Sequence, residues 1–318
     1  MKLKKLLAGF LALTLSTGTA FASSMPPQPP VDELWGQPIM AHGSSLSDDQ
    51  FNEMLRIFGV NQDAVDLVMV TGNDVVRLLG VGNPNTQMFS TALIDRGERG
   101  SGIVVNILTP DYITRVTRNQ YANAMISAGV SDAIVNVAAP FPVTGESALA
   151  GIFLAYEDRG IELEQDRMEL AQQELETTTR IAETYQDHED FESENLDHAL
   201  IDIKSDLADI KAQTGHLANS EEVIEVVQQA LANNNLSDII SHENVQRLVD
   251  LATSYQNTSA ITSEQVREQL QNLAESVTSG WQNLRDTAIE SGVVETVMEH
   301  VTSFFTSLFD LVRGFFNN

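Results

Sequence analysis

The sequence predicts an α+β fold, a small mixed sheet with packed helices followed by a mainly α-helical C-terminal region. Two observations carry this prediction. Short β-rich runs alternate with helical segments over residues 46–158, and beyond residue 163 apolar residues recur at helical spacing while glycine and proline become scarce. The length of 318 residues allows two modest cores, and we expect one in each region.

The chain begins with a segment typical of a secretory signal peptide, residues 1–22. Lysines precede an apolar run over residues 6–15, and the small residues Ala20 and Ala22 then form a site of the kind that signal peptidase accepts. We predict cleavage after Ala22. Because spanning a bilayer takes about 20 apolar residues, we expect no transmembrane anchor after cleavage. Residues 23–45, rich in proline at their start, are interpreted as an extended leader.

The composition is strongly acidic, with 45 Asp and Glu against 18 Lys and Arg. Such a charge repels nucleic acid, which we therefore exclude as a partner. The absence of cysteine excludes disulfides, thiol catalysis and Cys-ligated zinc. Beyond the signal segment the only lysines are Lys204 and Lys211, a pattern that fits either a saline or alkaline habitat or a compositional bias.

The first elements of the α+β region, residues 46–158, are indicated by local signals. Ser47, with Gln50 three residues on, has the form of a capping box and predicts a helix that ends at Gly59. A strand is predicted over residues 65–71. Two further β-rich runs, residues 88–95 and 101–108, flank a polar glycine-bearing turn and are expected to pair as a hairpin.

The second half of this region repeats the alternation. A helix is predicted over residues 121–128, ended by Gly129. The apolar run over residues 133–139 predicts a strand that is buried on both faces. Thr144 is expected to cap a helix over residues 145–156.

The acidic helical region, residues 163–318, is predicted to form a bundle or an array of helical hairpins. Further helices are expected over residues 221–232, 237–255 and 263–279, and a last one from Trp281 or Ser291 towards the C-terminus. The clearest apolar seam consists of Leu196, Leu200, Ile203, Leu207 and Ile210.

Several motifs of the α+β region resemble those of a known family. They are Phe58-Gly59-Val60-Asn61, Ala128-Gly129-Val130-Ser131-Asp132-Ala133 and Val137-Ala138-Ala139-Pro140-Phe141-Pro142-Val143-Thr144-Gly145. The chain resembles the YpuA-like family of secreted proteins from Gram-positive bacteria, whose function is unassigned, over about residues 56–157. The resemblance implies secretion and a shared fold, and it assigns no catalytic residue.

One candidate ligand site follows the predicted strand over residues 133–139. A strand that leads into a helix N-terminus at Thr144, Gly145 and Ser147 can hold an anion through backbone amides and hydroxyls. The competing interpretation is structural, with Thr144 as a helix cap.

No familiar catalytic set, metal site or cofactor motif is present. The histidines lie outside the family-like segment, and no Gly-x-Ser-x-Gly motif nominates a serine. The acidic and histidine-bearing run over residues 187–198 lacks the spacing of a metal site and is interpreted as a solvated charge run. An unfamiliar enzyme acting on cell-wall polymer remains the alternative, with Asp111, Asp132 or Glu146 as acid and base.

The C-terminus carries a broad apolar helical face that includes Phe304, Phe305, Leu308 and Phe315. This face either closes the helical core or contacts a partner or a membrane surface. Together these observations favour a non-enzymatic binding or interaction protein, secreted or held at the cell wall or the outer face of the membrane. The expected partner is an envelope protein or a wall component.

Overall fold

The computed structural model describes residues 36–290, with side chains through residue 277, and confirms the α+β class. The strands are β1 (Ile39–Gly43), β2 (Asp66–Val70), β3 (Thr91–Arg96), β4 (Ile103–Ile107) and β5 (Ala133–Ala138). The first helices are α1 (Asp48–Phe58), α2 (Gly72–Leu79), α3 (Arg118–Ala128) and α4 (Ser147–Asp158). The later helices are α5 (Gln165–Tyr185), α6 (Ser193–Thr214), α7 (Ser220–Asn233), α8 (His242–Gln256) and α9 (Glu264–Glu290).

The five strands form one mixed sheet in the order β2-β1-β3-β5-β4. Strand β1 runs parallel to β2 and antiparallel to β3, while β5 runs antiparallel to β3 and parallel to β4. The predicted hairpin between β3 and β4 is therefore wrong, because β5 lies between them. The polar turn instead bends around the start of β5, where Gly97 N–H donates to Asp132 O (2.6 Å) and Gly102 N–H donates to the Asp132 carboxylate (3.1 Å).

The sheet begins earlier than the sequence indicated. Residues 39–43 fall within the range interpreted as a leader, yet they form the strand between β2 and β3. Ile39 and Met40 are fully buried on opposite faces of the sheet. A five-residue strand that is buried on both faces shows no alternation of apolar and polar residues, so its sequence did not distinguish it from a leader.

Helices cover both faces of the sheet. On one face α1 packs Met54 and Leu55 against Met40 and Leu93. On the other face α3 and α4 pack against the strands, and α4 approaches β1 and β2 closely at Gly151, where a Cβ atom would lie 3.2 Å from Ala41 Cβ. Helix α5 then packs on α3, so the helical region lies directly on the helices that cover the sheet.

Among the described residues a large apolar cluster runs from Ile39 to Val277 and includes both the sheet and the later helices, while a smaller one lies under α1 on the other face of the sheet. The predicted seam of α6 is confirmed as buried or half-buried. Helix α8 starts at His242 with Ser241 as its N-cap, later than the predicted residue 237. Helix α9 continues past Trp281 to Glu290, so no new helix begins at Trp281.

Candidate functional site

The predicted ligand residues lie where β5 leads into α4, and each has a different environment. The helix begins at Ser147 with Glu146 as its N-cap and without a side-chain capping bond, so the prediction of Thr144 as the cap is wrong. Thr144 is exposed, Gly145 is buried, and Ser147 Oγ lies 2.6 Å from Ser90 Oγ.

Gly145 determines this geometry because its backbone is left-handed, with φ +97°. Its carbonyl accepts a hydrogen bond from the buried Tyr121 hydroxyl (2.5 Å), and a Cβ atom at this position would lie 2.7 Å from Ile113. The turn is therefore fixed by close packing and by the tyrosine, not by a helix cap.

The three carboxylates of the alternative enzyme prediction do not come together. Asp132 precedes β5 and Glu146 follows it, so a strand of about 20 Å separates them. Asp132 accepts hydrogen bonds from Gly102 N and from Gln269 Nε2 (3.1 and 3.4 Å). Glu146 is half-buried beside Arg115; burial raises the pKa of its carboxyl group, and Arg115 opposes that shift. Asp111 is exposed.

The other predicted sites give no second cluster. The charged run over residues 187–198 joins α5 to the start of α6, and nowhere in the described chain do three or more His, Asp or Glu side chains lie where they could hold a metal ion. Between residues 36 and 290 no helix is long and apolar enough to cross a membrane. The cleavage residues Ala20 and Ala22, and the face formed by Phe304, Phe305, Leu308 and Phe315, lie outside the described residues.

A cleft of about 290 Å³ lies at the opposite end of β5 from Thr144. It forms where β3 ends, where α3 and α4 end and where α5 begins, and α9 closes it from the helical side. Its lining residues are Arg96, Ala128, Gly129, Ser131, Tyr156, Ile161, Glu162, Leu163, Glu164, Arg167 and Gln265.

Arg167 forms the floor of this cleft and is 8% exposed. Its Nε donates to Ser127 O (2.7 Å) and its Nη2 donates to Ile126 O (3.3 Å), so the guanidinium caps the C-terminus of α3. The guanidinium lies over Gly129, where a Cβ atom would be 3.1 Å from its carbon. Within the described residues Nη1 has no hydrogen-bond partner, and burial lowers the pKa of Arg167.

The side of the cleft is built from β3, the connection before β5, α4 and α9. Arg96 donates to Ser131 O (3.3 Å) and also hydrogen-bonds Tyr156, whose pKa is raised by burial. Gln265 of α9 donates to Ser131 Oγ (2.6 Å). The sheet and the last described helix are thus joined at the wall of the cleft.

A buried polar cluster lies directly behind Arg167. Ser127, whose carbonyl holds Arg167, hydrogen-bonds through its hydroxyl to Glu174 (2.6 Å). Lys204 donates to Glu174 (3.0 Å) and to Asn123 Oδ1 (2.9 Å), and both charged side chains are 2% exposed. Burial lowers the pKa of Lys204, and it raises that of the neighbouring Asp197 well above its usual range. This cluster joins α3, α5 and α6.

Sequence reasoning missed the cleft because it placed α5 in the helical region without giving its bounds or recognising its buried residues. The buried face of α5 carries polar and charged residues among its apolar ones, which obscures the helical periodicity. Those buried polar residues are Arg167, Gln172, Glu174, Thr178 and Thr179. Lys204 was noticed only as one of two remaining lysines, and its partners lie 30 and 81 residues away in sequence.

The chain is thus an α+β protein in which the later helices complete a polar cleft at the ends of two interior strands of a mixed sheet. A family model described as a protein of unknown function (DUF1002) matches residues 42–273, and the chain belongs to this family. The chain is 29% identical over 290 residues to the uncharacterized protein YpuA of Bacillus subtilis (strain 168), covering 90% of this chain and 91% of that protein. No solved structure matches it significantly.

The family match confirms the resemblance noted over residues 56–157 and extends it. Most of the helical region is included, so the matched residues contain Arg167, Lys204 and Gln265 as well as the sheet. The cleft and the cluster behind it therefore lie wholly within the part of the chain that matches the family.

Proposed function

We propose that this chain is an exported, non-catalytic binding protein whose cleft takes a small molecule that carries a carboxylate or phosphate group. The observation that carries the proposal is Arg167, which is 8% exposed, lines a cleft of about 290 Å³ and takes part in no salt bridge among the described residues. A buried guanidinium without a carboxylate partner is costly unless an anion or water satisfies it.

Three further features support this function. Arg96 contributes a second guanidinium to the same cleft. A volume of this size has room for about ten non-hydrogen atoms, which fits a small ligand and not a polymer. Because the protein is strongly acidic, a small ligand with one anionic group meets less repulsion than a polyanion does.

Binding is tested by calorimetric titration of the mature chain with N-acetyl-L-leucine and with inorganic phosphate. At least one of these anions is expected to bind, and Arg167→Gln or Arg96→Gln is expected to weaken that binding about tenfold or more. Arg118→Gln removes an exposed arginine from the first turn of α3 and serves as the matched control. Binding by no probe that carries a carboxylate or phosphate group, or equal binding by the Arg96, Arg167 and Arg118 variants, contradicts the proposal.

Export is tested separately. Replacing Ala20 and Ala22 by Glu removes the small residues that the peptidase requires, so an unprocessed precursor is expected to accumulate in the cell fraction. Processing and release at the normal rate would contradict the signal-peptide assignment. Fractionating the full chain beside a chain that ends at Gly292 then reports whether the Phe-rich face holds the protein at the envelope.

A further inference from the structure

Positively and negatively charged side chains both line the cleft, and they differ in how deeply they are buried. Arg167 forms the buried floor, whereas Glu162 and Glu164 are exposed and line the same cleft at its rim. Glu164 acts on Arg167 electrostatically and raises the pKa of that group against the effect of burial. One carboxylate oxygen of Glu164 accepts a hydrogen bond from Ser259 (2.8 Å), which holds the side chain in place.

The two charges are also close in sequence and space. Glu164 is the N-cap of α5 and Arg167 lies three residues further on. They lie within one turn of the backbone, because Arg167 N–H donates to Glu164 O (3.1 Å). A ligand that satisfies both must therefore carry its positive and negative groups close together.

One part of the wall is apolar, beside the polar part formed by Arg96, Ser131 and Gln265. Ala128 is buried, while Ile161 and Leu163 are half-buried in the connection between α4 and α5, and all line the cleft. Together the three features describe a ligand with a carboxylate, an adjacent ammonium group and an aliphatic substituent.

We infer that the cleft binds a free α-amino acid with an aliphatic side chain, its carboxylate on Arg167 and its ammonium group at Glu162 and Glu164. This inference rests on the proposed function and specifies its ligand. A zwitterion carries no net charge, so it also approaches this acidic protein without the repulsion that an anion meets.

The test compares L-leucine with N-acetyl-L-leucine, which has the same carboxylate and side chain but no ammonium group, by calorimetric titration of the mature chain. L-leucine is expected to bind at least about tenfold more tightly. The double variant Glu162→Gln and Glu164→Gln is expected to lose most of this preference while it retains affinity for N-acetyl-L-leucine. Both glutamates are exposed, so these substitutions leave the core intact.

The matched control is the double variant Glu189→Gln and Glu192→Gln, which makes the same change in net charge in an exposed loop beyond the far end of α5. That helix has 21 residues, so the loop begins about 30 Å from the cleft. The control is expected to keep the full preference for L-leucine.

The outcomes separate the two proposals. If N-acetyl-L-leucine or phosphate binds at Arg167 as tightly as L-leucine does, the zwitterion inference is overturned while the anion-binding function stands. The same holds if the glutamate variant keeps the full preference. If none of the three probes binds, both proposals are overturned.

Discussion

Because Lys204 and Glu174 form a buried ion pair, replacing one of them should lower the unfolding free energy more than replacing both. In Lys204→Met an apolar chain of similar length replaces the ammonium group, and Glu174 keeps a buried charge whose remaining hydrogen bond comes from Ser127. Removing one partner of a buried ion pair costs about 3–5 kcal/mol of unfolding free energy. With both side chains only 2% exposed, we expect the upper part of this range.

Adding Glu174→Met to that variant removes the stranded charge. Asn123 and Ser127 then still lack partners, at a cost of about 1–3 kcal/mol. The double variant is therefore expected to be more stable than Lys204→Met alone, with a coupling free energy of about 2 kcal/mol.

Urea unfolding followed by circular dichroism at pH 7 measures these values. The exposed pair of Arg247 and Glu243, 2.9 Å apart, provides the control, since Arg247→Met is expected to cost less than about 1 kcal/mol. A cost below about 1 kcal/mol for Lys204→Met, or a double variant whose losses simply add, would refute the reasoning that the pair is desolvated and coupled.

Two further predictions concern other parts of the chain. Burial raises the pKa of Asp197 above its ordinary 3.8, so the stability that this carboxyl group contributes is full below that value and is lost as pH rises through the folded pKa. The unfolding free energy of Asp197→Asn, measured from pH 4 to 9, should therefore fall less with rising pH than that of the wild type. Parallel curves for the two proteins would contradict this prediction. Gly145→Ala should destabilise the protein by about 1–3 kcal/mol more than Gly59→Ala. Both glycines have a left-handed backbone, but only at position 145 would the added Cβ atom lie within 3 Å of Ile113. Equal melting temperatures for the two variants would show that packing at Gly145 is loose.

What could be predicted from the sequence is what neighbouring residues determine. The capping box at Ser47 and the left-handed glycines Gly59 and Gly129 are complete within a few residues, and the structure has the predicted helix ends at those points. The α+β class was likewise readable, because it depends on the period of apolar residues and not on which elements touch.

The strand order and the cleft could not be predicted, because both depend on contacts between residues that are far apart in the sequence. The turn after β3 looks like a hairpin turn, and only the Asp132 backbone, more than 30 residues later, shows that it bends around another strand. Arg167 and Glu174 reduced the apolar signal of α5 because they are buried by pairing and hydrogen bonding and not by apolar character. Charged residues on a buried face cannot be recognised from one sequence until their partners are known.

The position of β5 between β3 and β4 has a consequence for the order in which the chain can fold. As the chain emerges from its N-terminus, β1, β2 and β3 can pair, but β4 has no neighbour in the described sheet until residues 133–138 arrive. The position between β3 and β4 therefore stays empty while α3 is synthesised, and β5 must then insert between these two strands. Such non-local closure slows folding, and it keeps the growing chain from completing its sheet early.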